Sequence, residues 1–215
     1  MARIDDFVRY VKDYAEPKTP CFISPNNLSV QIVFDAGTPD NPCKPTHYAK
    51  MELEMEPEHE ALFSVVNTRQ LTQADVINFI EDNVHCITPM VNESAVDPLQ
   101  ALAAFRSLTI NEAQSTTSEL HDQAQSVSLL SGVEAASKKA HPLPTSLVFT
   151  YTPALGLQPQ TIPLRVIVTA DNGKAAIKLR PVQWSQHMKR ITDDFESVLK
   201  AALDDSVTLY VADLN

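Results

Sequence analysis

Five glutamates, Glu52, Glu54, Glu56, Glu58 and Glu60, recur at every second position. Carboxylates two apart on a strand share one face, where they gather a divalent cation or meet a basic partner. The same row also keeps an exposed strand soluble and discourages edge-to-edge pairing. A solvated face is the preferred account. Among functional readings, a basic partner on Glu52, Glu54 and Glu56 comes before a metal, because cation sites draw ligands from a tight loop or several elements. Cations gather further along, at Lys138, Lys139, Arg165, Lys174, Lys178, Arg180, Lys189 and Arg190. Arg165, Lys178 and Arg180 fall on or beside a hairpin, with Tyr151 and Trp184 near in sequence. Basic groups beside aromatics on a sheet are one way single-stranded nucleic acid is held. The nucleic-acid candidates are therefore Arg165, Lys178, Arg180, Lys189 and Arg190, weighed against a solvated sheet face with Trp184 in the core.

Other chemistry is sparse. No two of His47, His59, His85, His121, His141 and His187 have zinc-like spacing, and there is no Cys-x-x-Cys. His85 and Cys86 are adjacent, but neighbours on a helix point apart, so a thiolate–imidazole pair is not expected. With four glycines there is neither Gly-x-Gly-x-x-Gly nor Gly-x-x-x-x-Gly-Lys, and no Gly-x-Ser-x-Gly nucleophile turn. These absences lower the expectation of a nucleotide-using enzyme or an esterase. No catalytic residue, metal or cofactor is assigned.

Local periodicity supplies the elements that would position these groups. Ile4, Phe7, Val8, Val11 and Tyr14 read as an amphipathic helix stopped by Pro17 and Pro20. Strands follow at Cys21–Ile23 and Leu28–Phe34 around Pro25-Asn26-Asn27, then a loop from Gly37 to Pro45. Met51, Leu53 and Met55 alternate with glutamates as a strand, and Ala61–Val66 reads as its partner. Thr72 with Asp75 caps a helix bearing Val76, Phe79, Ile80 and Val84. Asp97-Pro98 opens another with Leu99, Leu102, Ala103 and Phe105. Leu147–Tyr151 is a strand. The run through Ile162, Leu164, Val166 and Val168 turns at Asn172-Gly173 and returns through Ile177 and Leu179, the strongest hairpin signal in the chain. A helix carrying Met188, Ile191, Phe195, Val198, Leu199 and Ala202 precedes a last strand at Val207–Val211. No βαβ rhythm appears, so the fold class is α+β, with a mainly antiparallel sheet, several short helices and a long polar β-ribbon.

That ribbon, residues 107–139, is rich in Ser, Thr, Gln and Ala. Too hydrophilic to make its own core, it is expected to dock on a sister chain, with Ile110, Ser115, Thr116, Thr117, Val127 and Leu129 at the interface. The 215 residues, 44% apolar and 20% charged, suit one folded α+β domain. No run approaches the 18 apolar residues of a membrane span, nor is there an export signal at the start. Three cysteines at wide spacing favour reduced thiols, and with them the cytoplasm. The net charge of −10 argues against a surface that coats nucleic acid as a whole. Residues 1–137 carry 8 Lys/Arg against 20 Asp/Glu, and residues 138–200 carry 9 against 4. That asymmetry invites head-to-tail association of copies, unless folding mixes the two regions.

Several ordered segments resemble the YfdQ-like proteins of phages and prophages, a family of unknown function. They are Asp75-Val76-Ile77-Asn78-Phe79-Ile80-Glu81-Asp82-Asn83, the helix from Leu99 to Phe105, and Ser115-Thr116-Thr117 in the ribbon. Leu143-Pro144-Thr145-Ser146-Leu147-Val148-Phe149, Pro153 with Gly156, and Pro163-Leu164-Arg165-Val166 complete the set. The resemblance covers roughly residues 20 to 200. It implies an early, non-virion phage product encoded near recombination and DNA-metabolism functions, and it transfers no catalytic residue. The expected function is a non-enzymatic phage accessory protein in the host cytoplasm. It would form a homo-oligomer and act by binding in DNA metabolism, recombination or counter-defence, with a host protein as a further partner. The alternatives are a single-stranded nucleic-acid binder using the basic hairpin, and a hydrolase with a carboxylate-bound metal.

Overall fold

Capping chemistry decides where several helices begin. Thr72 accepts a hydrogen bond from the Asp75 backbone N–H, and the Asp75 carboxylate accepts from the Thr72 N–H, a reciprocal capping box. Asp97 accepts from Leu99 N–H at 2.7 Å ahead of Pro98 in the first turn. Pro57 opens a third helix, with Glu58 and Glu60 in the turn where the helix dipole favours negative charge.

The computed structural model describes residues 3–24, 28–38, 40–42, 44–108, 141–171, 174–203 and 207–212. Among these the chain runs α1 (Ile4–Tyr14), β1 (Thr19–Ser24), β2 (Ser29–Val33), β3 (Gly37–Thr38), β4 (Asn41–Pro42), β5 (Tyr48–Glu52), α2 (Pro57–Asn67) and α3 (Gln73–Asp82). It continues through β6 (Ile87–Val91), β7 (Ser94–Ala95), α4 (Pro98–Arg106), β8 (Ser146–Tyr151), β9 (Gln160–Asp171) and β10 (Lys174–Pro181). The last elements are α5 (Trp184–Leu203) and β11 (Val207–Val211). The fold is α+β with two mostly antiparallel sheets. No helix among the described residues is long and apolar enough to cross a membrane.

Two compact units arise from discontinuous stretches. The first joins residues 1–56, 152–160 and 185–215; the second joins 57–151 and 161–184. In the first unit the sheet order is β11-β1-β2-β5. Cys21, Ile23, Val30, Ile32, Ala49 and Met51 form its inner face and share one apolar cluster with Ile4, Phe7 and Val11 of α1 and Ile191, Phe195 and Leu199 of α5. β1 and β11 pair in parallel, which needs a long crossover, and the whole second unit lies between them in sequence. Gly156 takes φ +93°, and a Cβ there would sit 3.3 Å from Ile4 Cδ1, so glycine suits this position twice over.

The second unit has the sheet order β10-β9-β8-β6-β7. Its inner face (Leu147, Phe149, Leu164, Val166, Ile177, Leu179) joins Leu62 of α2, Val76, Phe79 and Ile80 of α3, and Leu102 and Phe105 of α4 in one cluster. Phe79 and Phe149 stack at 5.5 Å.

Several expectations need correction. Ala61–Val66 is helix, not strand: the proline and acids that open α2 start it before the β-branched pair Val65-Val66, and His59, Leu62 and Val65 then bury one stripe. The strand through Met51 ends at Glu52. The loop from Gly37 to Pro45 holds the two-residue strands β3 and β4. Val84 and Leu99, expected on apolar helix faces, are 46% and 71% exposed, because Val84 lies past α3 and α4 turns Ala101, Leu102, Ala104 and Phe105 inward instead. The polar ribbon, with Ile110, Ser115, Thr116, Thr117, Val127 and Leu129, lies outside the described residues, as do Cys43 and the Asn172-Gly173 turn.

Candidate functional site

The hairpin is defined by the register of its two strands. A two-residue connection pairs Asp171 with Lys174, and that register carries along the strands until Arg180 stands directly opposite Arg165. Lys178 opposes Ile167 two residues nearer the turn. Alternation places Leu164, Val166, Ile177 and Leu179 in the core, so Arg165, Lys178 and Arg180 emerge together on the outer face. No carboxylate among the described residues lies within ion-pair distance of these three cations. Directly opposed like charges destabilise a sheet, so the bare hairpin holds a local repulsion that an anion would relieve. Arg165 and Arg180 also line a hollow of about 150 Å³ with Pro181, Val182 and Gln183. Its rim is shaped by the Val182 N–H donating to Pro163 O at 2.9 Å and by Gln183 at φ +55°. That volume falls below the roughly 300 Å³ of a small-molecule site and suits a group the size of a phosphate.

Of the other predicted groups, the aromatics Tyr151 and Trp184 pack inward, and the cations Lys189 and Arg190 belong to the other unit. Lys189 and Arg190 lie on α5 in the first unit; Lys189 donates to both carboxylate oxygens of Asp193 at 2.8 Å, and Arg190 Nη2 lies 3.4 Å from His187 Nδ1. Tyr151 points inward, its hydroxyl 3.1 Å from His59 Nδ1, and burial pushes that phenol above its ordinary range. Trp184 is half-buried against Phe63, with ring centroids 5.4 Å apart. The hairpin face therefore offers cations without the stacking rings expected beside them. Of the acidic series, Glu52 is exposed at the end of β5 with Lys50 Nζ 4.0 Å away. Glu54 is exposed beyond the strand, and the Glu56 N–H donates to Pro153 O at 2.9 Å.

Two clusters escaped the sequence reading. In the first unit, Tyr10, Tyr14, Phe34 and His47 gather at the surface, with Tyr10 Oη 3.0 Å from His47 Nε2 and the Phe34 and His47 rings 4.4 Å apart. Asp35 sets this arrangement by accepting from Thr46 Oγ1 at 2.6 Å, Thr46 N–H at 2.7 Å and His47 N–H at 3.0 Å. Those bonds hold its carboxyl down at about 2. The spacing of Tyr10 and Tyr14 on one helix was the available signal. In the second unit, ligand atoms of Glu58, His85 and Cys86 lie within 4.8 Å of one another. Here His85 and Cys86 occupy a turn after α3 rather than a helix, so adjacent side chains reach one point. Glu58 is held below the ordinary carboxylate range first by its own backbone N–H and then by His85, while burial and the charge of Glu58 raise the Cys86 thiol. Cys21, in the core of the first unit, is pushed up to about 12 by burial and is not a reactive thiol.

No curated protein and no solved structure matches the chain. A family model described as an uncharacterized conserved protein matches residues 1–212, and the α+β chain with its basic hairpin belongs to that family, DUF2303.

Proposed function

We propose that this chain is a non-enzymatic binding protein that holds a nucleic-acid strand by its phosphates on the outer face of the β9–β10 hairpin. The observation that supports it is the direct opposition of Arg165 and Arg180, with Lys178 beside them and no described carboxylate to neutralise the three. Phosphate contacts position a strand without reading its bases, which suits a face with no aromatic ring among its described residues. The resemblance to phage and prophage proteins suggests the setting, an accessory role in DNA metabolism, recombination or counter-defence. Anisotropy of a labelled single-stranded oligonucleotide at low salt tests it. Three phosphate contacts give a log–log salt slope of about −2. Arg165→Glu with Arg180→Glu removes binding. An unshifted oligonucleotide at low salt refutes the reading.

A second reading, self-assembly, is favoured by β11. Among the described residues it is the edge strand of its sheet, and Tyr210 and Val211 on it are 48% and 53% exposed. Such an edge can pair with the same edge of another copy. Light scattering at micromolar concentration distinguishes the outcomes: an assembly that Val211→Lys dissociates supports it, and a monomer disposes of it.

A further inference from the structure

We propose that Glu58, His85 and Cys86 form a three-ligand site for a divalent cation of the zinc class. The three donors are a carboxylate oxygen, an imidazole nitrogen and a thiol sulfur, and all lie within 4.8 Å of one another. His85 Nε2 is 3.2 Å from Glu58 Oε1. Zinc bonds of about 2.0–2.3 Å in tetrahedral geometry put neighbouring donors roughly 3.4 Å apart, so this edge of the polyhedron is already in place. Closing the set requires only a small inward movement of the thiol or of the two exposed donors.

The backbone holds the anchor ligand from both sides. Cys86 N–H donates to Asn83 O at 2.9 Å, and Thr150 N–H donates to Cys86 O at 2.8 Å. Asn83 is itself buried and donates through Nδ2 to Phe79 O at 2.9 Å, tying the turn to the end of α3. Glu58 enters from the first turn of α2, so the ligands come from two separate stretches of backbone. The thiol is buried, whereas the His85 and Glu58 side chains are 61% and 29% exposed, which leaves an approach from solvent.

Donor chemistry selects the ion. Magnesium and calcium require oxygen cages, while a mixed nitrogen, oxygen and sulfur set suits zinc, and cobalt as its spectroscopic stand-in. As the metal–sulfur bond forms, the thiol proton leaves to water. Three protein donors leave the fourth position to a water molecule, the pattern of open rather than closed zinc sites. An ordinary surface pair between Glu58 and His85 accounts for two of the three groups and gives the thiol no part.

Titrating the chelator-treated full chain with cobalt tests the assignment. One equivalent should produce a sulfur-to-cobalt charge-transfer band that zinc displaces and magnesium does not. Cys86→Ser should abolish the band, while Cys43→Ser should retain it. His85→Ala and Glu58→Gln should each weaken affinity by at least the roughly tenfold that even outer-shell partners command. Because His85 is exposed, His85→Ala should keep the metal-free thermal midpoint, and zinc should raise the midpoint of the parent chain but not of this variant. A missing band, a band surviving in Cys86→Ser, or an equal zinc effect on parent and His85→Ala overturns the proposal.

Discussion

At the residue scale, hydrogen bonding to one small carboxylate organises a surface patch of the first unit. Asp35 accepts from Thr46 and His47, and His47 in turn meets Tyr10 and Phe34. Its carboxyl titrates near 2 in the folded chain, against about 3.9 when unfolded. A depressed acid of this kind contributes stability above its unfolded value and loses it as pH falls toward the folded one. Asp35→Asn should therefore be less stable than the parent at neutral pH, with the difference closing between about pH 4 and pH 2. Denaturant midpoints across that range check it; a gap independent of pH would assign the effect to lost hydrogen bonds alone. His59 works the other way round. Buried beside Tyr151, its imidazole is held below its ordinary value by desolvation, so it stays neutral in a folded chain at neutral pH.

Among the elements, the best-specified are those whose ends are chemically marked. Thr72→Ala removes one half of the capping box of α3 and should cost about 1 kcal/mol in equilibrium unfolding. Phe149, fully buried and stacked on Phe79, joins sheet to helix in the second unit, and Phe149→Ala should cost about 3–5 kcal/mol. A smaller loss would show that the cluster collapses around the missing ring. The hairpin points to a trade of stability for binding. Arg180→Gln should raise stability by about 0.2–1 kcal/mol by removing the opposed charge, while weakening oligonucleotide binding. Equal stability of the two proteins would mean that the guanidinium groups already avoid each other in solvent. Sequence reading erred where propensity and terminus disagreed. Val65-Val66 favours a strand, but Pro57 and two acids start a helix that tertiary burial of Leu62 then keeps.

For the whole molecule, folding redistributes the linear charge pattern. The first unit draws on 1–56 and 185–215, the second on 57–151 and 161–184, so acidic front and basic rear enter both. The first holds 9 Lys/Arg against 15 Asp/Glu and the second 8 against 12, so both are negative and no head-to-tail dipole follows from the sequence order. Any association of copies must then come from local surfaces such as the β11 edge. Suppressing the net charge of −10 should expose that tendency, with light scattering greatest near the isoelectric point that the composition sets, about pH 5.0. Scattering that stays flat through that pH would count against an associating edge.

The capped starts of α3 and α4, the apolar stripes of α1 and α5, and a hairpin bearing Arg165 and Arg180 were legible in the order of residues, while their direct opposition came from the structure. Each rests on interactions within a few positions along the chain: a cap, a turn, an alternation. The parallel pairing of β1 with β11, the inward aim of Tyr151 and Trp184, and the meeting of Glu58 with His85 and Cys86 were settled by tertiary structure alone. Groups 27 residues apart leave no periodic trace, because what joins them is burial of the helices and strands that carry them.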